Sequence, residues 1–190
     1  IENYNFGQLI CTREDNLNMS YLPFLLNRTD SPLGSLQCHV AKNNSIWRDI
    51  TKGRITAIFS GPHAYISPCW YSSEDQVPTW NYSAVFAEGQ VRLLDDNQLA
   101  PLLIKLTNNE ENRTWNNIKW PTREVGTSKY GSMIKAIVGI ELQIEKIYGK
   151  LKMSQNRSSE DRAGAVHGLL ESSYESHAAV AKMIKETNEK

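Results

Sequence analysis

The strongest constraint on this chain is an alternation of apolar and polar side chains that recurs in three separated stretches. Ile55, Ala57 and Phe59 alternate within Arg54 to Phe59; Val85, Ala87, Gly89, Val91 and Leu93 within Val85 to Leu93; and Ala136 to Ile144 alternates again. Period two is that of a strand with one buried face. Further strands are expected at Phe6 to Thr12, Met19 to Leu26 and Gly34 to Val40, set apart by the polar turns Arg13-Glu14-Asp15-Asn16 and Asn27-Arg28-Thr29-Asp30-Ser31-Pro32. The first forty residues therefore read as an antiparallel meander. Short strands with turn signals between them argue for a closed or nearly closed antiparallel barrel with peripheral helices, a mainly β (α+β) class.

The helical period appears in only a few places. Asn43 or Asn44 is placed to cap a short helix with Ile46, Trp47 and Ile50 on one face. Asp95 or Asp96 opens a longer one, with Leu99, Leu102, Leu103 and Leu106 at i, i+3, i+4, i+7. A polar segment from Asn108 to Glu124 follows, punctuated by Trp115 and Trp120. Ser158-Ser159-Glu160-Asp161 has the pattern of a capping box and starts a helix carrying Ala163, Val166, Leu169 and Leu170. A last amphipathic helix presents Tyr174, Ala178, Ala181 and Ile184. The expected organisation is a barrel domain over 1–157 and a C-terminal helical extension over 158–190.

Charge narrows the function classes. Lys plus Arg and Asp plus Glu are both 21 in 190 residues, so the formal charge is zero, and the whole chain has no general pull toward nucleic acid or an anionic membrane. Three cysteines, Cys11, Cys38 and Cys69, form no C-x-x-C pair and leave a thiol over in any disulfide scheme. With no apolar run long enough to span a bilayer, the expectation is a reduced, cytoplasmic protein. Hydrolase elbow, zincin, P-loop and dinucleotide fingerprints are all missing. Cys38-His39 and His63 with Cys69 fit no usual zinc spacing, so no metal is expected.

Two patches remain chemically suggestive. Cys38-His39-Val40-Ala41-Lys42-Asn43-Asn44 runs from a strand end into a helix start, where free amides, a positive dipole end and Lys42 suit a phosphate; an ordinary capped helix with a solvated lysine is the other reading. Lys150 and Lys152, near Ser154 and Gln155, offer a second cationic contact or a solvated strand end. The stretch GPHAYISPCWYSSEDQVPTWNYSAV, Gly61 to Val85, crowds Trp70, Tyr71, Trp80 and Tyr82 into a short span. Such rings either flank a flat heterocycle or fill a barrel corner or subunit contact. A planar ring joined to a phosphate describes a nucleotide, flavin mononucleotide (FMN) or pyridoxal phosphate.

Four segments, His39–Trp47, Phe59–Tyr71, Val77–Tyr82 and Lys150–Asn156, resemble in order and spacing the signature blocks of the PaiB-type family, FMN-binding proteins described as negative transcriptional regulators of protease synthesis and sporulation. The resemblance runs from about Phe6 to Leu170. It implies an FMN-binding split β-barrel, similar to pyridoxamine-phosphate oxidases, that works as a homodimer with flavin between subunits. It places His39, Lys42, Asn44, His63, Tyr65, Ser67, Trp70, Thr79, Trp80, Lys152 and Gln155 around the cofactor. Lys42 stands where the family usually has Arg, keeping the charge and losing the bidentate fork. Cys69 replaces a common Ser, and Asn43 and Ser45 replace Ala and Pro.

Two function classes follow. One is a flavin-linked redox protein or sensor, the cofactor supplying the chemistry. The other is a DNA-binding repressor in which flavin is structural or absent. The tail from Lys150 to Lys190 carries seven basic and six acidic residues; a DNA-binding module normally shows a clear basic excess.

Overall fold

In the computed structural model of the chain, which describes residues 1–14, 16–28, 31–114, 131 and 134–188, the alternating stretches form one seven-stranded sheet. Its strands are β1 (Phe6–Arg13), β2 (Asn16–Pro23), β3 (Leu25–Asn27), β4 (Ser35–Ala41), β5 (Arg54–Ile66), β6 (Thr79–Leu94) and β7 (Ile137–Lys152). Their spatial order is β2-β1-β5-β6-β7-β4-β3. β1 runs antiparallel to β2 and β5, and β4 antiparallel to β3 and β7.

The expected strand Met19 to Leu26 is in fact two strands at opposite ends of this order, which replaces the expected meander. Pro23 has no N–H to give to a ladder, and Phe24 turns inward to 1% exposure. Its ring meets Phe59 edge-on, 5.2 Å between centroids at 75°, and its N–H donates to the Asn5 carbonyl at 2.9 Å. The two end strands are thus joined through a single residue. A flat sheet with strands about 4.8 Å apart leaves its ends far beyond that reach.

Two compact units divide the chain, Ile1–Phe59 with Phe86–Tyr148 and Ser60–Val85 with Gly149–Lys190. The first buries Leu9, Leu36, Cys38, Ile46, Ile55, Ile140 and Leu142, with Leu25, Leu94, Leu102 and Leu106 clustered beside them. The second centres on Ala64, Ile66, Met153, Ala165, Val166, Leu169, Val180, Ala181 and Ile184. β5 serves both by changing phase. Ile55, Ala57 and Phe59 are buried, whereas beyond Ser60-Gly61 it is Pro62, Ala64 and Ile66. That shift turns His63 and Tyr65 outward.

Among the described residues the named helices are α1 (Ile46–Asp49), α2 (Asp96–Thr114), α3 (Ser159–Glu171) and α4 (Glu175–Asn188). α2 starts as expected, with Asp95 Oδ1 accepting from the Gln98 N–H at 2.9 Å, and it takes in the beginning of the polar segment, as far as Thr114. Trp115 and Trp120 lie outside the described residues. α3 has its expected cap, Ser158 Oγ accepting from the Asp161 N–H at 3.1 Å. Its buried face differs from the expected one: Ala163 and Leu170 are exposed, and Asp161, Ala165, Val166, Gly168 and Leu169 are buried. α4 buries Val180, Ala181 and Ile184 while Tyr174 precedes the helix and is exposed. Among the described residues no helix is long and apolar enough to cross a membrane.

Candidate functional site

The residues singled out in the sequence fall into two sets, His39, Lys42 and Asn44 in the first unit and the others in the second. In the first set the backbone is already engaged. The Lys42 N–H donates to Ala136 and the Asn44 N–H to Ala41, at 2.8 and 3.0 Å. Asn44 Oδ1 accepts from the Ile46 N–H at 3.0 Å, and its amide nitrogen reaches Ser20 Oγ at 2.8 Å. α1 has only four residues, so little macrodipole stands behind it. Lys42 is exposed, and its carbonyl accepts from Trp47 Nε1 at 3.0 Å. His39 lies on β4, where burial holds its imidazole below the ordinary value and its Nδ1 has no partner.

The second set converges more closely. β5 presents His63 and Tyr65, and β6 presents Trp80. Trp80 lies 6.3 Å from the His63 ring and 6.1 Å from that of Tyr65, the latter nearly perpendicular at 73°. Trp70 comes from a short 3-10 turn, Pro68–Trp70, whose start is capped by Ser67 Oγ accepting from the Cys69 N–H. These four rings line a cavity of about 510 Å³ together with Ser172, Tyr174, Ser176 and His177. That volume lies within the common range for small-molecule sites. Tyr65 and Trp80 remain 41% and 54% exposed, so their faces are offered to the cavity rather than spent on the core.

Trp70 is fixed by α3. A Cβ on Gly168 would stand 2.3 Å from the Trp70 ring, and one on Gly164 only 1.9 Å from the Trp70 carbonyl oxygen. Only glycine admits so close an approach. The chain beyond the turn is held by Asp161, whose Oδ1 accepts from the Ser72 and Ser73 amides at 2.9 and 3.0 Å and whose Oδ2 accepts from the Ser73 hydroxyl at 2.8 Å. The Ser73 amide, then its hydroxyl, hold the Asp161 carboxyl below the usual range. Cys69 is exposed on the same turn, while Cys11 and Cys38 are buried and their thiols pushed up by desolvation.

Lys152 Nζ meets Thr79 Oγ1, one residue before Trp80, at 2.5 Å. This contact fixes the Lys152 ammonium at the first residue of β6. Gln155 is occupied locally, accepting from the Met153 N–H at 2.7 Å and donating to the Leu151 carbonyl at 2.9 Å. The sequence reading missed Ser172, Ser176 and His177 and placed Tyr174 on a core face. The available signal was Tyr174 and His177 three apart with serines around them. A flat heterocycle fits this set: several ring faces, two imidazoles and hydroxyls.

Residues 1–146 match a family model described as "Putative FMN-binding domain". The chain is 32% identical, over 89% of its length and 80% of the relative's, to the protease synthase and sporulation protein PAI 2 of Bacillus subtilis. It is 26% identical to an uncharacterised protein of Aspergillus fumigatus over 90% of this chain and 82% of that one. Among solved structures, the FAD and heme binding protein of Mycobacterium smegmatis superposes with a TM-score of 0.56 at 14% identity, over 80% of this chain and 67% of that one. The flavocytochrome Anf3 of Azotobacter vinelandii does so with 0.56 at 13%, over 78% and 62%. These likenesses are of fold, and the expected class, a mainly β split barrel with peripheral and C-terminal helices, is the observed one.

Proposed function

Since the chain belongs to the FMN-binding-domain family that includes PAI 2 of Bacillus subtilis, we propose that it is a flavin-linked redox protein or sensor with FMN as its cofactor. The observation that carries this reading is the gathering of His63, Tyr65, Trp70 and Trp80 around one cavity. Bound FMN supplies hydride and electron transfer; the chain supplies orientation, exclusion of water and electrostatics. In this reading the indole and phenol rings would hold the ring system by offset and edge-on contacts, which are the favourable aromatic arrangements. Lys152, beside Thr79, would hold the phosphate by a charge-assisted contact.

The active form is read as a homodimer. Leu17, Met19 and Tyr21 alternate along β2 with their side chains 58–63% exposed, while the polar Asn18 and Ser20 face α1. Phe6 of β1, 63% exposed, stacks on Tyr21 at 5.9 Å. An apolar sheet face of this kind marks an interaction surface, and a second copy covers it by a two-fold contact.

The name of the Bacillus relative points to protease synthesis and sporulation. A regulatory role of this chain is read as following from its flavin state, since the tail from Lys150 to Lys190, with seven basic and six acidic residues, lacks the basic excess that a DNA backbone attracts. The test is to titrate the colourless full chain with FMN and follow flavin absorbance and tryptophan fluorescence, with labelled promoter DNA as a parallel arm at several salt concentrations. Saturable FMN binding without salt-sensitive DNA binding is expected. Indifference to FMN overturns the reading.

A further inference from the structure

Among the described residues of the second unit, Tyr65, Val77, Trp80, Leu151, Leu170 and Tyr174 are large apolar or aromatic side chains left exposed, and Tyr65, Trp80 and Tyr174 border the cavity described above. Tyr65 and Trp80 come from the sheet, and Tyr174, 68% exposed, comes from the junction between α3 and α4. That junction lies beyond residues 1–146, where the family match ends. Its shape is set locally: the Tyr174 N–H donates to Ser172 Oγ at 3.3 Å and the His177 N–H to the Tyr174 carbonyl at 3.0 Å. The Tyr174 and His177 rings consequently lie 4.9 Å apart at 34°. His177 Nδ1 is buried without a hydrogen-bond partner. An unpaired buried nitrogen is costly, and the broad χ2 well of histidine allows either ring nitrogen to turn toward the cavity.

From this we infer that the α3–α4 junction is the second jaw of a clamp for a flat conjugated ring, with Tyr174 and His177 closing on a ring that rests against Tyr65 and Trp80. Among the described residues no carboxylate lines the cavity, so a neutral or anionic ring enters without repulsion. Ser172, Ser176, His63 and His177 supply polar contacts at its edge. Such a ring has two sources, the isoalloxazine of the flavin itself or a separate ring substrate of the quinone type. The inference rests on reading this cavity as a ring site, and does not depend on FMN being the occupant.

The test uses the full chain and the variants Tyr174→Ala, Tyr174→Phe and His177→Ala, titrated separately with FMN, riboflavin and 1,4-naphthoquinone while the quenching of tryptophan fluorescence is followed. Loss of one ring face corresponds to roughly a three- to tenfold weaker dissociation constant. Tyr174→Ala and His177→Ala should show it, Tyr174→Phe should bind as the parent does, and the melting temperature of Tyr174→Ala should hardly move because the side chain is exposed. Equal weakening for FMN and riboflavin assigns the clamp to the flavin ring. Weakening for naphthoquinone alone assigns it to a substrate, and does so even if FMN does not bind, in which case only the cofactor reading fails. Unchanged affinity for all three ligands in both alanine variants overturns the inference.

Discussion

Adding one methyl group to α3 at two positions a turn apart should give opposite results once Trp70 is truncated. Alanine is favoured over glycine in a helix interior by about 1 kcal/mol, so Gly164→Ala and Gly168→Ala both begin with a gain. Against it stands overpacking, which costs about 1–3 kcal/mol in a filled interior. At position 168 the new methyl would meet ring atoms of Trp70 at 2.3–2.5 Å, and a half-buried indole can pivot. The net loss should be about 0–2 kcal/mol. At position 164 the obstacle is the Trp70 carbonyl oxygen at 1.9 Å. This backbone is held on one side by the Ser67 cap and on the other by Asp161, so the net loss should reach about 2 kcal/mol or more. In a Trp70→Ala background the ring is gone and the carbonyl remains. Gly168→Ala should then stabilise by roughly 0.5–1 kcal/mol, while Gly164→Ala should cost what it did before. Urea unfolding followed by circular dichroism reads both, as midpoints at constant slope. If Gly168→Ala has the same effect in both backgrounds, the proposed contact between α3 and the Trp70 ring is wrong.

Other consequences can be checked directly. Because the folded Asp161 carboxyl titrates below its ordinary value, its contribution is fully present above about pH 4 and is lost as the pH falls through the folded value; Asp161→Asn should flatten that acid limb of a urea-midpoint series. Glu141 is 2% exposed, accepts from Ser35 Oγ at 2.9 Å and Gln37 Nε2 at 2.7 Å, and pairs with Arg92. Glu141→Ala strips those donors of their acceptor and should cost about 1–3 kcal/mol by thermal or urea unfolding. Lys152→Glu should weaken FMN by roughly 2–4 kcal/mol while sparing riboflavin, which has no phosphate; unchanged FMN affinity would refute Lys152 as the anchor. Light scattering should give about twice the 21.6 kDa chain mass, and Tyr21→Glu should return it to the single-chain value.

Much of the sheet was legible because burial on one face writes itself as period two. Phe6 to Thr12, Arg54 to Phe59 and Val85 to Leu93 all fall inside strands of the structure. What failed were places where one strand serves two purposes. Ser60-Gly61-Pro62 reads as punctuation, yet β5 runs through it and changes its buried side, so the sequence shows two short patterns out of phase rather than one long strand. Pro23-Phe24 reads as a continuing strand, and only the burial of Phe24 against Phe59 shows that the chain turns there. On α3 the expected apolar face was rotated because Gly164 and Gly168, invisible to a hydrophobic count, receive the largest side chain of the turn. The rings of the candidate site were conspicuous in the sequence. Their partners Ser172 and His177 were not, because nothing local distinguishes a serine that ends a helix from one that lines a cavity.

The second unit is built from 60–85 and from 149–190, the latter with the end of β7 and helices α3 and α4, and that separation sets a schedule for synthesis. Ala64 and Ile66 are completely covered in the finished fold, yet the residues that cover them, from Met153 to Ile184, are made about one hundred positions later. At ribosomal speeds of about 5–20 residues per second the sheet segment waits roughly 5–20 s with its apolar side open. A nascent chain stalled before α3 therefore presents an uncovered apolar strand surface, the kind of target that chaperones bind, and slowed elongation through 149–190 should lower the yield of folded protein more than the same delay placed before Ser60.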